Sequence, residues 1–201
     1  MIPFVVPVLF SSAQQAVQTT TATLGSEGVV LRTLKLPRML ARVSMALYLP
    51  DGQGPEVVVG EVAEVHPAAP PEMPGFLANF VDLPPSSRQR IEAAVARAGG
   101  EHRSFSRHSV DLEVEVAGTG PAHAVDISSG GLFLRDGHAA GRGQALELRL
   151  DLHDGKGTAD TRAVVVRAAD DGRGMQFLDF GPSFRERLYM YLEAADREHA
   201  G

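Results

Sequence analysis

The chain repeats one order of elements, and this repeat restricts its fold more than any other feature of the sequence. The segment Phe80–Ile91 aligns with Phe177–Leu188 without a gap, and six of the twelve paired positions are identical. The identical pairs are Phe80 and Phe177, Asp82 and Asp179, Pro85 and Pro182, Ser86 and Ser183, Arg88 and Arg185, and Arg90 and Arg187. Such a repeat indicates two copies of one structural unit of about a hundred residues each.

Alternating apolar and polar residues predict strands in both copies, and each copy then ends in a helix. The alternation is clearest from Gln144 to Leu152, where four leucines fall on one face. Apolar residues at helical spacing predict helices from Pro85 to about residue 98 and from Pro182 to about residue 199. The expected strands are 4–10, 16–24, 29–31, 41–49, 56–65 and 75–83, then 110–116, 122–127, 132–134, 144–152, 163–168 and 174–180. Many short strands broken by glycine and proline are typical of a barrel or a sandwich.

Composition and charge exclude several classes of function. The chain has no cysteine, which excludes disulfides, thiolate metal sites and thiol catalysis. Its net charge of −6 argues against general nucleic-acid binding, and no apolar run reaches the roughly 18 residues that a membrane span needs. Between Pro85 and Val110, however, five arginines stand against two glutamates. Such a local basic patch suits a small anion.

Two short motifs stand together at the start of the second copy. Arg103 and Arg107 form an R-x-x-x-R pair. About twenty residues later, after a predicted strand, Asp126, Ser128 and Gly131 form D-x-S-x-x-G. The order and spacing of the two motifs are more informative than either motif alone.

Each motif also has a purely structural interpretation. Asp126 and Ser128 can satisfy the N–H groups of a tight turn, and the two glycines after them supply the backbone freedom that a turn needs. The arginine spacing occurs a second time at Arg38 and Arg42, where the pair follows the corresponding turn of the first copy instead of preceding it. The sequence alone leaves the structural interpretation open.

The two motifs, over residues of about 100–199, resemble the signature of the PilZ domain family. The resemblance implies a six-stranded antiparallel barrel with a C-terminal helix. It also implies the bacterial second messenger cyclic di-GMP as the ligand, with no metal. The residues that it assigns to ligand binding are Arg103, Arg107, Asp126, Ser128 and Gly131. Binding would pull the segment that carries Arg103 and Arg107, here called the strap, onto the barrel.

The chemistry of these residues suits a guanine dinucleotide. A guanidinium group can donate to O6 and N7 of guanine, stack on the base and pair with phosphate. An ionised Asp126 can accept hydrogen bonds from the guanine N1–H and N2–H₂ groups, Ser128 can donate to an oxygen, and Gly131 would let the backbone approach the ligand. His102 precedes the arginine pair where some relatives carry a third arginine associated with a stacked ligand dimer. His102 is included as a ligand-binding candidate, and one or two ligand molecules remain open.

The expected fold class is mainly β, with two tandem antiparallel six-stranded barrels, each followed by a C-terminal helix. The expected limits are residues 1–98 for a degenerate first copy, 99–102 for a hinge, and 103–201 for the ligand-binding copy. In the first copy Thr23 stands in the Asp position and Gly25 in the Ser position, and no arginine precedes them. We therefore expect the first copy to resemble PilZ in its fold only, and not to bind the dinucleotide.

The expected function is that of a cytoplasmic cyclic di-GMP receptor without catalysis, which signals through a downstream protein partner and could form a homodimer. Binding of a nucleic-acid polymer and membrane insertion are not expected. The alternative is a nucleotide-independent interaction scaffold with a relic motif. Catalysis is disfavoured because the seven histidines show no paired-ligand spacing and no G-x-S-x-G turn is present. Sequence-specific DNA binding is disfavoured because no recognition-helix pattern lies on a basic face.

Overall fold

The computed structural model describes residues 1–12, 15–100, 107–135 and 139–199. The chain divides into two compact units. The first unit comprises Met1–Pro67 and Pro74–Phe105, and the second comprises Ala68–Met73 and Ser106–Gly201. The predicted domain limits and the hinge at 99–102 stay a prediction, because residues 101–106 lie outside the described part of the chain.

The first unit is a closed antiparallel barrel. Its strands are β1 (Ile2–Pro3), β2 (Pro7–Ser12), β3 (Gln15–Leu24), β4 (Gly28–Arg32), β5 (Arg42–Leu47), β6 (Glu56–His66) and β7 (Gly75–Val81). Six of them form the ring β3–β2–β5–β6–β7–β4, which the β3–β4 pairing closes, while the short β1 adds to β3 in line with β2. Closure leaves the six ring strands without a free edge.

The second unit repeats this topology. Its strands are β8 (His108–Val116), β9 (Gly120–Ser128), β10 (Gly131–Arg135), β11 (Ala145–Asp151), β12 (Thr158–Ala169) and β13 (Gly172–Leu178). They close in the order β10–β13–β12–β11–β8–β9, which is the order of the first ring when β2 to β7 are replaced by β8 to β13. The predicted fold class of two tandem six-stranded barrels is therefore confirmed.

The two barrels also share their irregularities. The pairing of β3 with β4 skips Ala22, and the pairing of β9 with β10 skips Val125 at the equivalent place. The pairings β6–β7 and β12–β13 skip Ala63 and Val166 in the same way. A β-bulge bends a strand and moves the side chains that follow it to the opposite face of the sheet. The shared bulges indicate that both barrels close with the same strand geometry.

The predicted first strand is broken, and a threonine explains the break. Residues 4–6 separate β1 from β2. The Thr21 hydroxyl, fully buried, accepts a hydrogen bond from Val6 N at 2.9 Å and donates one to Phe4 O. This side chain replaces ladder hydrogen bonds that the interrupted strand does not make, so the buried backbone polar groups remain paired.

Each barrel encloses one hydrophobic core. In the first, the rings of Phe10 and Phe76 meet edge to face at 5.3 Å between centroids. In the second, Phe177 meets Phe184 in the same way at 5.2 Å. Phe184 belongs to the C-terminal helix, so this helix adds side chains to the core of the second barrel.

The helices are α1 (Pro85–Gly100) and α2 (Pro182–His199), and each is tied to its barrel by one arginine. Arg90 donates from Nε and Nη2 to the two carboxylate oxygens of Asp51 at 2.7 and 2.9 Å. At the equivalent place, Arg187 donates from Nε and Nη2 to both oxygens of Asp154 at 2.7 Å. Asp51 and Asp154 lie in the loops that follow β5 and β11, so each arginine fixes the helix to a hairpin loop. Helix α1 extends two residues beyond its predicted end.

Candidate functional site

Arg107 and Asp126, which the sequence places nineteen residues apart, meet on the outer surface of the second barrel. The Arg107 Nη1 atom donates to Asp126 Oδ1 at 2.5 Å. Both side chains are about one-third exposed, at 37% and 30%, so the pair lies at the surface and a ligand could reach it. Arg107 directly precedes β8, and Ser109 of that strand lies opposite Asp126 on β9.

The bulge at Val125 decides that Asp126 faces outward. Ala122 and Ala124 point into the core, and simple alternation would send residue 126 inward after them. Because the β9–β10 pairing skips Val125, Ile127 points into the core instead, and Asp126 turns to the surface. The local sequence of β9 does not show this reversal.

Ser128 uses its hydroxyl group inside the turn between β9 and β10. The Ser128 Oγ atom donates to Gly131 O at 3.3 Å and lies 3.4 Å from Gly130 N, which donates to it. The side chain is 7% exposed. This arrangement agrees with the structural interpretation of the motif, in which the serine holds the turn that follows Asp126.

Gly131 permits a close approach between two strands. A Cβ atom at this position would lie 2.0 Å from Met175 O on the neighbouring β13. Gly28 in the first barrel has the same environment, since a Cβ there would lie 2.5 Å from Ala78 O. The last glycine of the motif is thus required by the packing of the sheet in both copies.

Two residues that the sequence analysis missed flank Asp126 on the adjacent strands. Ser109 lies opposite Asp126 on β8, and Phe133 lies opposite it on β10 with a half-buried side chain. Their place beside Asp126 follows from the pairing register of the strands. This register depends on the bulge at Val125, so it could not be derived from the sequence. His102 and Arg103, the remaining candidates, lie outside the described residues.

The first barrel carries uncharged side chains at the described positions that correspond to this site. The registers align Met1 with Arg107, Thr23 with Asp126, and Gly25 with Ser128. Met1 packs against Gly25, where a Cβ atom would lie 2.9 Å from Met1 Cγ, and Thr23 Oγ1 lies 3.9 Å from Met1 Sδ. These contacts contain no arginine–carboxylate pair, so the anion-binding and base-reading groups of the second barrel have no counterpart here.

Most of the basic patch that the sequence suggested is occupied by contacts within the first unit. Arg90 is paired with Asp51, as described above, and also with Glu56 at 2.9 Å. Arg88 is paired with Glu27 at 2.9 Å, and Arg97 donates to a carbonyl of its own helix. These three arginines therefore already have partners within the first unit.

Two further classes of site were sought in the part of the chain that the structure describes. No three His, Cys, Asp or Glu side chains among those residues are grouped so that they could hold a metal ion. Neither described helix is both long and apolar enough to cross a membrane.

Comparison with known proteins assigns the second barrel to a family. Residues 101–194 match the family model of the PilZ domain. Its residues include the Arg107–Asp126 pair and the whole second ring. The second barrel is therefore a PilZ domain. The first barrel shares the topology of this domain.

Several solved structures are similar to the chain at low sequence identity. The inhibitor of motility MotI/DgrA of Bacillus subtilis is 15% identical, with 99% of this chain and 98% of that chain covered and a TM-score of 0.40. YcgR of Escherichia coli in complex with c-di-GMP is 12% identical, with coverages of 97% and 85% and a TM-score of 0.40. PlzA of Borreliella burgdorferi, also in complex with c-di-GMP, is 7% identical, with coverages of 92% and 86% and a TM-score of 0.38. No curated protein sequence matches the chain.

Proposed function

We propose that this protein is a receptor for cyclic di-GMP that binds the dinucleotide on the outer face of the second barrel and performs no catalysis. The observation that carries the proposal is the contact between Arg107 and Asp126 at 2.5 Å. It supports the idea that the arginine strap and the acidic turn can act on one molecule. The PilZ assignment of residues 101–194 supports the choice of ligand class.

In the proposed complex, the cation and the carboxylate exchange their partners. The Arg107 guanidinium leaves Asp126 for a phosphate or for O6 and N7 of guanine, and Asp126 then accepts from guanine N1–H and N2–H₂. Both groups are already partly desolvated at 37% and 30% exposure, which lowers the cost of closing a ligand over them. Arg103 and His102 supply the other contacts of the strap, and Ser128 and Gly131 hold the turn that presents Asp126.

The proposed signal is the ordering of the strap, followed by a rearrangement of the two barrels that a partner protein reads. The first barrel takes no dinucleotide in this proposal, since its equivalent positions are Met1, Thr23 and Gly25. In this proposal, the second barrel binds the ligand and the first barrel takes part in the response. A cytoplasmic location belongs to the same proposal.

Isothermal titration calorimetry with cyclic di-GMP tests the proposal, with cyclic di-AMP and GTP as specificity controls. Arg103→Ala, Arg107→Ala and Asp126→Ala should each abolish measurable binding and leave the circular dichroism spectrum unchanged. Arg42→Ala is a matched control, because Arg38 and Arg42 have the same spacing in the first barrel and should not affect binding. Ligand at a hundred times its Kd should also stabilise the wild-type fold by about 2.7 kcal/mol.

A second candidate function, a scaffold that binds no nucleotide, is favoured by one specific observation. The Ser128 hydroxyl forms hydrogen bonds within the turn, and Gly131 is required by the close approach of Met175 O. Two motif residues therefore have structural roles that need no ligand. The absence of heat and of a thermal shift for the wild type at high cyclic di-GMP concentration would select the scaffold. Binding that survives both arginine substitutions would place the ligand elsewhere.

A further inference from the structure

A tight turn in the first barrel exposes two large apolar side chains beside a group of cations. We name the segment from Lys35 to Arg42 the basic turn. Its backbone is fixed to β6, because Leu40 N donates to Val62 O at 2.9 Å and Val62 N donates to Ala41 O at 3.0 Å. Leu40 has a left-handed backbone with φ of 63° and is 71% exposed, and Met39 beside it is 53% exposed.

The second barrel builds the same turn with a glycine. There Gly143 N donates to Val165 O at 2.9 Å and Val165 N donates to Gln144 O at 3.0 Å, which reproduces the hydrogen bonds of Leu40 and Ala41. Gly143 has φ of 83°. A left-handed conformation suits glycine and strains a leucine, so the fold of this turn does not call for leucine. An exposed leucine in a strained conformation requires another explanation, and contact with an apolar layer supplies one.

The surroundings of these two side chains are cationic. From Gly28 to Pro50 the chain contains four basic residues and no acidic residue, although the whole chain has a net charge of −6. Three of those cations are exposed, namely Lys35, Arg38 and Arg42. Glu61, opposite Arg42 in the β5–β6 pairing, is the neighbouring acid on β6. The electrostatic potential around the basic turn is thus positive, although the net charge of the whole chain is negative.

We propose that the basic turn contacts an anionic lipid surface, with its cations among the phosphate headgroups and Met39 and Leu40 in the interfacial layer. Cations beside a short apolar tip are the chemistry that a charged bilayer surface attracts. A nucleic acid offers phosphates but no layer that would receive two aliphatic side chains. A specific protein interface buries about 800 Å² on each partner, which is more than one turn presents. The contact is shallow and reversible, and no segment of the turn spans the bilayer.

Co-sedimentation with vesicles tests the charge component. The full chain, without dinucleotide, is mixed with vesicles of phosphatidylglycerol and phosphatidylcholine or of phosphatidylcholine alone. The wild type should bind only the anionic vesicles, and more weakly as salt is raised. The only two lysines of the chain give a matched pair, since Lys35 lies in the basic turn and Lys156 is exposed in the second barrel. Lys35→Glu should weaken binding about tenfold, whereas Lys156→Glu should leave it unchanged.

Leu40→Gly separates lipid contact from folding. Glycine suits the backbone at this position, so the variant should unfold at the same or a higher denaturant concentration than the wild type. Its binding to anionic vesicles should nevertheless fall about tenfold. The matched control is Val57→Thr, because Val57 is 63% exposed on β6 but lies away from the basic turn.

Four results would overturn this proposal. They are a wild type that ignores anionic vesicles, a Leu40→Gly variant that binds them like the wild type, equal effects at the two lysines, and binding of duplex DNA through Lys35 in place of vesicles. Because the assay contains no cyclic di-GMP, its outcome is independent of the proposed receptor function.

Discussion

Arg90 connects α1 to the loop after β5, and we expect Arg90→Ala to destabilise the first barrel strongly. Its guanidinium reaches both oxygens of Asp51 and one oxygen of Glu56 at 2.7 to 2.9 Å, and it also donates to Gly54 O at 2.7 Å. The three side chains are only 19%, 8% and 15% exposed. Removal of the cation would leave two poorly solvated carboxylates side by side without a partner.

The magnitude follows from the pKa of Asp51. Hydrogen bonds from Arg90, opposed in part by burial, lower this pKa from 3.8 to about 2. At about 1.4 kcal/mol for each pKa unit, the shift corresponds to about 2 kcal/mol, and partial screening by solvent reduces it to about 1–2 kcal/mol. The stranded Glu56 and the lost carbonyl contacts add to this, so Arg90→Ala should cost about 2–3 kcal/mol at pH 7.

The pH dependence gives a stricter test, because its sign is fixed. The folded-state pKa of Asp51 lies below its ordinary value, so the stabilisation is fully present above about pH 4. It is lost as pH falls from 4 towards 2, where the carboxylate takes up a proton in the folded state as well. The difference between wild type and Arg90→Ala should therefore shrink over that interval.

The free energy of unfolding can be measured by urea denaturation. Far-ultraviolet circular dichroism is the signal to follow, because the chain has no tryptophan whose fluorescence could report unfolding. Hydrogen exchange of the peptides around Asp51 and Asp154 shows which barrel is affected. Arg187→Ala should give a smaller loss confined to the second barrel, where Arg187 pairs with one carboxylate, Asp154, whose pKa it also lowers. Arg149→Ala is the exposed control and should have no measurable effect. A loss at pH 7 below about 0.5 kcal/mol, or an equal loss at pH 7 and pH 2.5, would refute this reasoning.

Two further predictions concern the frame of the second barrel. Gly131→Ala should destabilise the protein by about 1–3 kcal/mol in urea denaturation, because the new Cβ would lie 2.0 Å from Met175 O and force β10 away from β13; stability equal to wild type would show that the strands can separate at no cost. Phe177→Ala should cost about 3–5 kcal/mol, since Phe177 is fully buried and its ring packs on Phe184; Phe177→Leu, as the control, should cost clearly less.

The order of elements could be predicted from the sequence because it depends on local signals. Alternation set the strands to within a few residues, and proline with helical spacing set the start of both helices. The aligned segments at Phe80 and Phe177 indicated the duplication, and their identical Arg90 and Arg187 make equivalent contacts in the two barrels. The prediction ended α1 at about residue 98 because glycine commonly follows the end of a helix, whereas the helix includes both Gly99 and Gly100.

The candidate site could be predicted only in part, because its residues depend on contacts far apart in sequence. The motif pointed to Arg107 and Asp126, and the structure shows that they touch. Its structural interpretation included the turn contact of Ser128, but it did not indicate that Gly131 faces Met175 O or that Phe133 lies next to Asp126. Each of these facts depends on strand pairing.

The sequence by itself determined that the chain repeats one unit of strands followed by a helix, and that only the second copy carries the charged motif. Those conclusions depend on residue type and on periods of a few residues, which fold locally. The tertiary structure alone decided which face Asp126 takes, because the bulge at Val125 reverses the alternation established by Ala122 and Ala124. A bulge is an extra residue in one of two paired strands, so it exists only once the strands pair.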